Sequence, residues 1–242
     1  MRLQAVTHCW RYSRLLTYQL SSFLARAGDA HAPQLTATVF FCPEQDADTR
    51  RVAEFFAGIN RPVNLHFDWR PLSKPDLTNR AIGRNQAALK TAADVVWFAD
   101  ADYCVLEGFW LNLVNSQAIV EGPLWYPRAV KGTTHPAGMA AIARAAGPPR
   151  LLAAPVEGLL DQEFSKAIGG VQFVKGRVCR EQGYLAGQDN RLQPYTKGNW
   201  RKNVEDRQFR RTLGTAGEAV DMPGLLRIRH GERGGETYEV DF

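Results

Sequence analysis

Cysteine is scarce in this sequence, which has four in 242 residues: Cys9, Cys42, Cys104 and Cys179. None of them forms a C-x-x-C pair, so neither a zinc site nor a disulfide framework is expected. Long apolar runs are also missing, because stretches such as Val95 to Ala99 fall far short of the ~20 residues that a membrane-spanning helix needs. No signal-like apolar segment follows Met1. We therefore expect buried free thiols and a cytoplasmic location.

Net charge is only modest, with 30 Lys and Arg residues against 25 Asp and Glu residues and a formal charge of +5. Hydrophobic residues make up 45% and charged residues 23% of the chain. These proportions are ordinary for globular proteins and exclude a disordered, collagen-like or coiled-coil chain. The mild basic excess favours anionic partners such as nucleotide phosphates, nucleic acid or a lipid headgroup surface, without choosing among them.

Strand and helix signals alternate three times in the N-terminal half. Apolar, β-branched segments predict four strands: Leu3–Thr7, Leu35–Cys42, Val63–Phe67 and Val95–Ala99. Segments with helical spacing of apolar residues lie between them: Leu16–Ala27, Asp48–Ala57 and Gly83–Ala93. Repeated strand and helix units predict an α/β fold with a mainly parallel central sheet flanked by helices.

The pattern weakens after Asp102. Pro and Gly are scattered through residues 122–155, and only Asn203–Leu213 reads as a convincing helix. Trp110, Trp125 and Tyr126 either belong to the core or stack on a sugar or base. We expect a single domain, 1–242, with a regular half, 1–103, and an irregular α+β half, 104–242.

A pair of acids follows the most apolar strand candidate, which runs into Asp100-Ala101-Asp102. In an open parallel sheet ligands bind beyond the carboxyl ends of the strands, and residues two apart in an extended segment point the same way. Two converging carboxylates suit Mg²⁺ or Mn²⁺, which usually also bind substrate phosphates. Because D-x-D is short and frequent, a solvated acidic turn is the competing interpretation.

Two more charged segments accompany these acids. Arg80, Arg84 and Asn85 stand at the start of the preceding helix, where arginine forks and a helix N-terminus favour phosphate; an ordinary surface pair is the alternative. Glu205-Asp206 opens the last helix candidate. A carboxylate held in a cleft can act as a general base, whereas acids in a first turn also simply suit the helix dipole.

With these segments in order, the chain resembles the family 2 glycosyltransferases, which have the GT-A fold. Five stretches carry the resemblance in the family's order: Val6–Leu24, Gly83–Asp102, Ile168–Gln172, Glu205–Arg211 and Arg229–His230. The resemblance implies a Rossmann-like sheet and an enzyme that moves a sugar from a nucleoside-diphosphate donor to an acceptor hydroxyl. It further implies inversion at the anomeric carbon.

The resemblance also implies a metal site and a base. Asp102 would bind Mn²⁺ or Mg²⁺ directly, while Asp100 would touch the nucleotide ribose or reach the metal through water. His230 would be a further metal ligand, with an ordinary loop histidine as the alternative. Asp206 would be the catalytic base, and Glu205 is the fallback.

A third set of residues would bind the donor. Gly169 and Gly170 would let the backbone approach the donor sugar, although an ordinary turn explains the same pair. Nucleotide contacts are expected from Thr7, Arg11, Arg84 and Asn85. In this interpretation residues 1–103 bind the nucleotide and residues 104–242 bind the acceptor and supply catalysis.

Two departures from the family affect these expectations. The second strand normally ends in an acidic, Ser-containing turn, whereas here Phe41 leads into Cys42-Pro43-Glu44. Glu44 or Asp68 is the candidate replacement. The Q-x-x-R-W signature of processive members is absent, which favours a single transfer over polymerisation.

The acceptor is left open. Lys197–Arg211 contains six Lys or Arg residues, which favours either a solvated helix face or a surface for a polyanion such as modified DNA or a lipid-linked phosphate. The latter acceptor would bring peripheral membrane contact. Two other functions compete: a nucleotidyltransferase, disfavoured because Thr7–Tyr12 lacks glycine, and a non-catalytic nucleotide-sugar or nucleic-acid binding module.

Overall fold

Strands and helices alternate through the first hundred residues of the computed structural model, which describes residues 1–185, 187–188, 191–194, 205–233 and 236–237. The strands are β1 (Arg2–Cys9), β2 (Gln34–Phe41), β3 (Leu65–Pro71), β4 (Val95–Phe98), β5 (Tyr103–Val105), β6 (Leu124–Pro127), β7 (Ala129–Thr133), β8 (Leu159–Glu163), β9 (Gln172–Lys175), β10 (Glu218–Val220), β11 (Leu225–Arg227), β12 (Glu232–Arg233) and β13 (Glu236–Thr237).

The helices are α1 (Ser13–Arg26), α2 (Ala47–Gly58), α3 (Lys74–Thr78), α4 (Arg80–Lys90), α5 (Phe109–Ile119), α6 (His135–Arg144), α7 (Gly176–Gln182) and α8 (Glu205–Thr212). Several of these helices are capped at the N-terminus by a polar side chain. Asp46 accepts a hydrogen bond from the Thr49 backbone at the start of α2, and Asn79 does the same for Ala81 at the start of α4. In the part of the chain described here, no helix combines the length and the apolar character needed to cross a bilayer.

The main sheet has seven strands in the order β10-β6-β9-β4-β1-β2-β3. Strands β3, β2, β1 and β4 run parallel, as the alternation of strand and helix predicts. Seven of the eight residues in β1 and all four in β4 are buried. Burial of both alternating faces requires helices on both sides of the sheet, which explains the nearly continuous apolar runs. The predicted fold of this half is confirmed.

Strand β9 runs antiparallel to β4, with Gln172 opposite Phe98. The start of β9 therefore lies at the edge of the sheet where β4 ends. This reversal brings the turn before β9 beside the acids that follow β4, although about seventy residues of sequence separate them. The C-terminal edge of the sheet is thus built from both halves of the chain.

A second sheet has the order β5-β11-β7-β8. Strand β5 follows the acidic turn directly, and β11 lies antiparallel to it, with Arg227 opposite Tyr103. The residues after β11 consequently return to the acidic turn. The second sheet thereby brings the residues that follow β11 close to the end of β4.

The C-terminal half is more regular than its sequence indicates. The expectation of one convincing helix after Asp102 is wrong, because α5, α6 and α7 precede α8. Their starts are set by local features that periodicity does not show: Gly108 in the left-handed conformation before α5 and a Thr134 side-chain cap before α6. Three aromatic residues of uncertain role belong to the core, since they are at most 5% exposed: Trp110, Trp125 and Tyr126.

Candidate active site

Four segments meet at the carboxyl end of β4: the Asp100–Asp102 turn, the start of α4, the start of α8 and the glycine turn before β9. Asp100 and Asp102 do not belong to one extended strand, contrary to the expectation from the sequence. The chain turns at residues 101 and 102 instead of remaining extended, and the Gln19 amide donates to the Asp100 carbonyl oxygen at 2.8 Å. The two carboxylates therefore have different partners.

Asp100 faces two arginines of α4. Its Oδ1 lies 2.7 Å from Nη1 of Arg80 and 3.4 Å from Nη2 of Arg84. Arg80 also donates from Nε to Oε1 of Glu205 at 2.9 Å, and so connects the end of β4 to the start of α8. Burial by itself would raise the pKa of Asp100, but the charges of Arg80, Arg84 and Arg227 outweigh it and lower that pKa. Asp100 is thus held as a carboxylate.

Arg84 is the most deeply buried charge of the site, with no exposed side-chain surface. Its Nη1 donates to Oδ1 of Asp206 at 2.9 Å and to the Tyr184 hydroxyl at 3.0 Å, and its Nη2 donates to the Gly169 carbonyl at 2.8 Å. Its guanidinium therefore ties α4 to α8 and to the glycine turn. The predicted nucleotide contact of Arg84 remains a prediction, and the contacts seen here are with protein groups.

Asp206 and Glu205 differ in access. The side chain of Asp206 is 18% exposed, whereas that of Glu205 is 4% exposed and paired with Arg80. Oε2 of Glu205 is buried without a hydrogen-bond partner among the described residues. A group in solvent reaches Asp206 more easily than Glu205, so accessibility favours Asp206 among the two predicted bases.

The two glycines before β9 each make room for a side chain. A Cβ on Gly169 would stand 2.5 Å from Oδ2 of Asp206, and a Cβ on Gly170 would overlap the ring of Tyr103. The Gly170 carbonyl also accepts a hydrogen bond from Nε1 of Trp97 at 3.0 Å. Gly169 thus lets the carboxylate of Asp206 lie directly against the glycine turn, a role additional to the predicted contact with a donor sugar.

Asp102 faces the second sheet. Its Oδ2 accepts from Nε of Arg227 at 2.9 Å and lies 3.8 Å from Nε2 of His230. The antiparallel pairing of β5 with β11 explains the proximity, because the Ile228 backbone N–H donates to the Asp102 carbonyl at 2.8 Å. The charge of Asp102 raises the pKa of Arg227 above its ordinary value. The structure therefore brings Asp102 and His230 together, as predicted from their places in the sequence.

The Asp102 side fits a divalent cation in part. Oδ1 of Asp102 is buried without a hydrogen-bond partner in the described chain, and carboxylate oxygen with imidazole nitrogen is a donor set that Mn²⁺ accepts. No group of three or more His, Cys, Asp or Glu side chains surrounds one point within the described ranges. Oδ1 of Asp100 is paired with Arg80 and Arg84, and a metal contact of Asp100 remains a prediction. Of the three predicted metal ligands, Asp102 and His230 are the pair that lies close together.

The predicted nucleotide contacts lie around the same edge. The Thr7 hydroxyl is buried and donates to Gln19 at 3.0 Å, and Oδ1 of Asn85 accepts from the backbone N–H of Tyr184 at 2.9 Å. Arg11 is exposed, and its guanidinium lies over the ring of Trp10. It lines a cavity of about 370 Å³ between the loops that follow β1 and β2. Of these residues, Arg11 has the side chain most accessible to a nucleotide.

A buried acid that was not predicted, Asp46, lies in the loop after β2. Asp46 is 3% exposed, and its Oδ2 accepts the Arg11 backbone N–H at 2.6 Å, joining the two loops. Glu44 is exposed in the turn after β2. Asp68 lies within β3, where Oδ2 accepts from the Thr38 hydroxyl at 3.1 Å. Neither Glu44 nor Asp68 contacts Asp206 among the hydrogen bonds of the described residues.

Three further residues complete the site without having been predicted for it: Arg80 in its bridging role, Tyr184 and Arg227. Arg80 and Arg84 are four residues apart on α4. This i, i+4 spacing is the sequence signal from which a shared role could have been inferred. Tyr184 and Arg227 carry no motif that marks them. The exposed residues Arg207 and Arg211 belong to the basic segment, whose first part, with Lys197 and Trp200, lies outside the described residues.

The fold is similar to that of known glycosyltransferases. A crystal structure of S. aureus TarS 1-349 in complex with UDP-GlcNAc matches with a TM-score of 0.59 and 14% identity over 99% of this chain and 62% of that one. S. aureus TarS matches with a TM-score of 0.57 and 12% identity over 95% of this chain and 37% of that one. Neither a scan against protein-family models nor a search of curated proteins gives a match.

The chain spans about three fifths of the length of the TarS 1-349 chains that it matches. Because the identities are 14% or lower, what the comparison establishes is the fold. The mixed α/β architecture, with its large central sheet flanked by helices, matches neighbours of the GT-A class. The predicted GT-A fold is therefore confirmed.

Proposed function

We propose that this protein is a nucleotide-sugar glycosyltransferase that carries out a single, inverting transfer to an acceptor hydroxyl. One observation carries the proposal: Asp102, His230 and Asp206 lie at the same edge of a GT-A sheet, although they come from three distant parts of the sequence. Binding of UDP-GlcNAc by the matched TarS structure supports a nucleotide-sugar donor. In this proposal residues 1–103 bind the nucleotide and residues 104–242 bind the acceptor and supply the base.

Asp206 acts as the base on the acceptor. Oδ1 receives Arg84, which leaves Oδ2 for the proton of the acceptor hydroxyl. The hydroxyl oxygen attacks the anomeric carbon as the bond to the diphosphate breaks, and the diphosphate leaves with the bonding electrons. One base and one displacement imply inversion. An NMR assignment of unchanged anomeric configuration in the product would contradict this step.

Mn²⁺ or Mg²⁺, bound by Asp102 and His230, would supply positive charge to the leaving diphosphate. Arg227 lies against the same carboxylate and adds a fixed positive charge next to that position. Asp100, held by Arg80 and Arg84, is left to contact the ribose or a metal-bound water. In this proposal the exposed Arg11, which lines the loop cavity, contacts the nucleotide.

Thermal-shift titration tests the donor and metal sites together. A panel of nucleoside diphosphates and nucleotide sugars, headed by UDP-GlcNAc, is titrated with and without Mn²⁺ on the wild type and on Asp102→Ala. We expect one nucleotide to stabilise the wild type in a Mn²⁺-dependent way, by about 2.7 kcal/mol at a hundred times its Kd. Asp102→Ala should lose this stabilisation.

Asp94→Ala is the matched control, because Asp94 is an acid before the same strand and pairs with Arg2 at the surface. It should keep the Mn²⁺-dependent stabilisation. No response of the wild type to any nucleotide would contradict the proposed function and favour a binding module for another ligand. Transfer of a nucleotidyl group, with the nucleotide retained in the product, would favour a nucleotidyltransferase.

Single transfer, the polyanionic acceptor and the cytoplasmic location are further parts of the proposal. The exposed side chains of Arg207 and Arg211 support the polyanion surface, whereas Arg210 turns inward and donates to the Ala167 carbonyl. Binding to anionic-lipid vesicles and binding to double-stranded DNA are measured separately, each as a function of salt concentration. The ligand that binds more tightly distinguishes the two acceptor classes.

A further inference from the structure

Tyr184 is a buried tyrosine whose hydroxyl lies beside the proposed base. The hydroxyl oxygen is 3.2 Å from Oδ1 of Asp206, 3.3 Å from Oε1 of Gln172 and 3.0 Å from Nη1 of Arg84. Both Tyr184 and Gln172 have no exposed surface. The tyrosine therefore belongs to the same buried network that holds Asp206.

The hydroxyl has a single proton to donate, and two acceptors compete for it. A carboxylate accepts a stronger hydrogen bond than an amide oxygen, which favours Asp206 over Gln172. Arg84 donates to the hydroxyl oxygen, and this polarises its O–H bond toward the carboxylate. Burial, opposed by the charge of Arg84, raises the pKa of Tyr184 well above its ordinary value, so the group remains a donor across the working pH range.

The position of Tyr184 is itself fixed. Its ring stacks on Phe209, three residues after Asp206 on α8, with centroids 4.2 Å apart, and meets the edge of Phe98 at 4.8 Å. Its backbone N–H donates to Oδ1 of Asn85. The two ring contacts and the backbone hydrogen bond together restrict the movement of the Tyr184 hydroxyl.

Two donors thus converge on one oxygen of Asp206. Oδ1 receives Arg84 and Tyr184, while Oδ2 lies against Gly169 and receives neither. Such an arrangement fixes the rotation of the carboxylate, and the geometry of a reacting group governs the rate strongly. The free oxygen is then held toward the turn where the proposed donor sugar binds.

We propose that Tyr184 is a positioning residue, which orients the carboxylate of Asp206 so that Oδ2 faces the acceptor hydroxyl. This inference rests on the proposed function and adds to it a residue that no sequence motif marks. Tyr184 acts through Asp206 and touches neither donor nor acceptor. Removal of its hydroxyl should consequently lower kcat without changing the affinity for the donor.

Tyr184→Phe removes the hydroxyl and keeps the stacked ring. Tyr18→Phe is the matched control, because Tyr18 is also a buried tyrosine whose hydroxyl donates a hydrogen bond, to the Ala141 carbonyl at 2.9 Å, away from the site. The assay is the release of UDP from UDP-GlcNAc with Mn²⁺ and water as acceptor, repeated with any other donor that the titration identifies. We expect kcat to fall about tenfold in Tyr184→Phe with KM for the donor unchanged.

The control separates this role from a structural one. Both variants should lose a few °C in Tm, but only Tyr184→Phe should lose turnover. Equal turnover in the two variants, or a rise in KM with kcat unchanged, would overturn the inference. Absence of both turnover and nucleotide-dependent stabilisation in the wild type with every donor would instead contradict the proposed function.

A structural measurement tests the positioning role independently of any donor. Crystal structures of the wild type and of Tyr184→Phe give the orientation of the Asp206 carboxylate. We expect one orientation in the wild type and a rotated or divided carboxylate in the variant. The same single orientation in both would overturn the inference.

Discussion

Asp100 and Asp102 are separated by one residue, yet the arginine and histidine partners of the two acids are different. Asp100 is held by two arginines of α4, which themselves hold Glu205 and Asp206 on α8. Asp102 turns toward β11 and keeps Oδ1 without a hydrogen-bond partner in the described chain. The turn at residues 101 and 102 divides the site into an arginine side, where Arg80 and Arg84 hold Asp100 and the proposed base, and a cation side, where Arg227 pairs with Asp102 beside the proposed ligand His230.

Loss of the base on the arginine side should have the largest effect. In Asp206→Asn we expect turnover to fall by about 10²-fold or more, because the amide cannot take the acceptor proton at neutral pH. Donor binding, followed by calorimetry, should change little. Asp221→Asn is the control, since Asp221 is a largely exposed acid paired with Arg128. Wild-type turnover in Asp206→Asn would move the role of base to Glu205.

Neutralising each acid in turn sharpens the division of the site. Asp100→Asn should cost about 1 to 3 kcal/mol of unfolding free energy, because a buried arginine network loses a charged acceptor, and should leave Mn²⁺ binding in place. Asp102→Asn should abolish Mn²⁺-dependent binding of the nucleotide. Urea unfolding and Mn²⁺ titration by calorimetry measure the two effects. Equal loss of Mn²⁺ binding in both variants would mean that the two acids form one metal site.

Crowding the base from the glycine turn should have a smaller effect. Gly169→Ala puts a Cβ against Oδ2 of Asp206, so the carboxylate must shift, and we expect kcat to fall about tenfold. Gly58→Ala, at the end of α2, is the control because no atom stands within 4 Å of the added Cβ. Unchanged kcat in Gly169→Ala would show that the contact between Gly169 and Asp206 does not matter for turnover.

The smallest expected effect is a change of the unfolding free energy with pH, caused by His8 next to the arginine side. His8 is buried, and both of its ring nitrogens lack hydrogen-bond partners among the described residues. Burial, aided by Arg84 and Arg80, lowers the pKa of His8 well below 6.5. Near and below pH 6.5 the unfolded chain therefore binds a proton that the native protein does not, and stability falls as the pH falls.

We expect His8 to account for about 1 kcal/mol of lost stability between pH 7 and pH 5.5. Urea unfolding of the wild type and of His8→Leu at both pH values measures this difference, which should shrink in the variant. His31→Asn removes an exposed histidine instead and serves as the control. An unchanged difference in His8→Leu would assign the acid sensitivity to other groups.

The sequence predicts the N-terminal half well because each element there is specified locally. The apolar run ending at Ala99 is a strand that is buried on both faces, and the periodic residues after Tyr12 form α1. Pairing of β1 with β2 and β4 follows from the alternation of strand and helix. The family resemblance, which rests on the order of the motifs, also predicted pairs that lie close together: Asp102 with His230, and Asp206 with the glycine turn.

The rest of the site depends on contacts between distant residues. Arg84 is a phosphate-binding candidate by its place at a helix start, and only the packed structure shows that its guanidinium is buried against Asp206 and Gly169. The divergence of Asp100 and Asp102 arises from a turn that the D-x-D pattern does not specify. Tyr184 has neither periodicity nor motif, and its contacts with Arg84, Asp206 and Phe209 appear only in the folded chain.

The position of β4 in the sheet has a consequence for the newly made chain. Val95–Phe98 pairs with β1 on one side and with β9 on the other. Until Gln172–Lys175 has left the ribosome, one edge of this wholly apolar strand has no partner. Unpaired apolar edges invite association with other chains. The sheet around this central strand can therefore be completed only after residue 175 has been made.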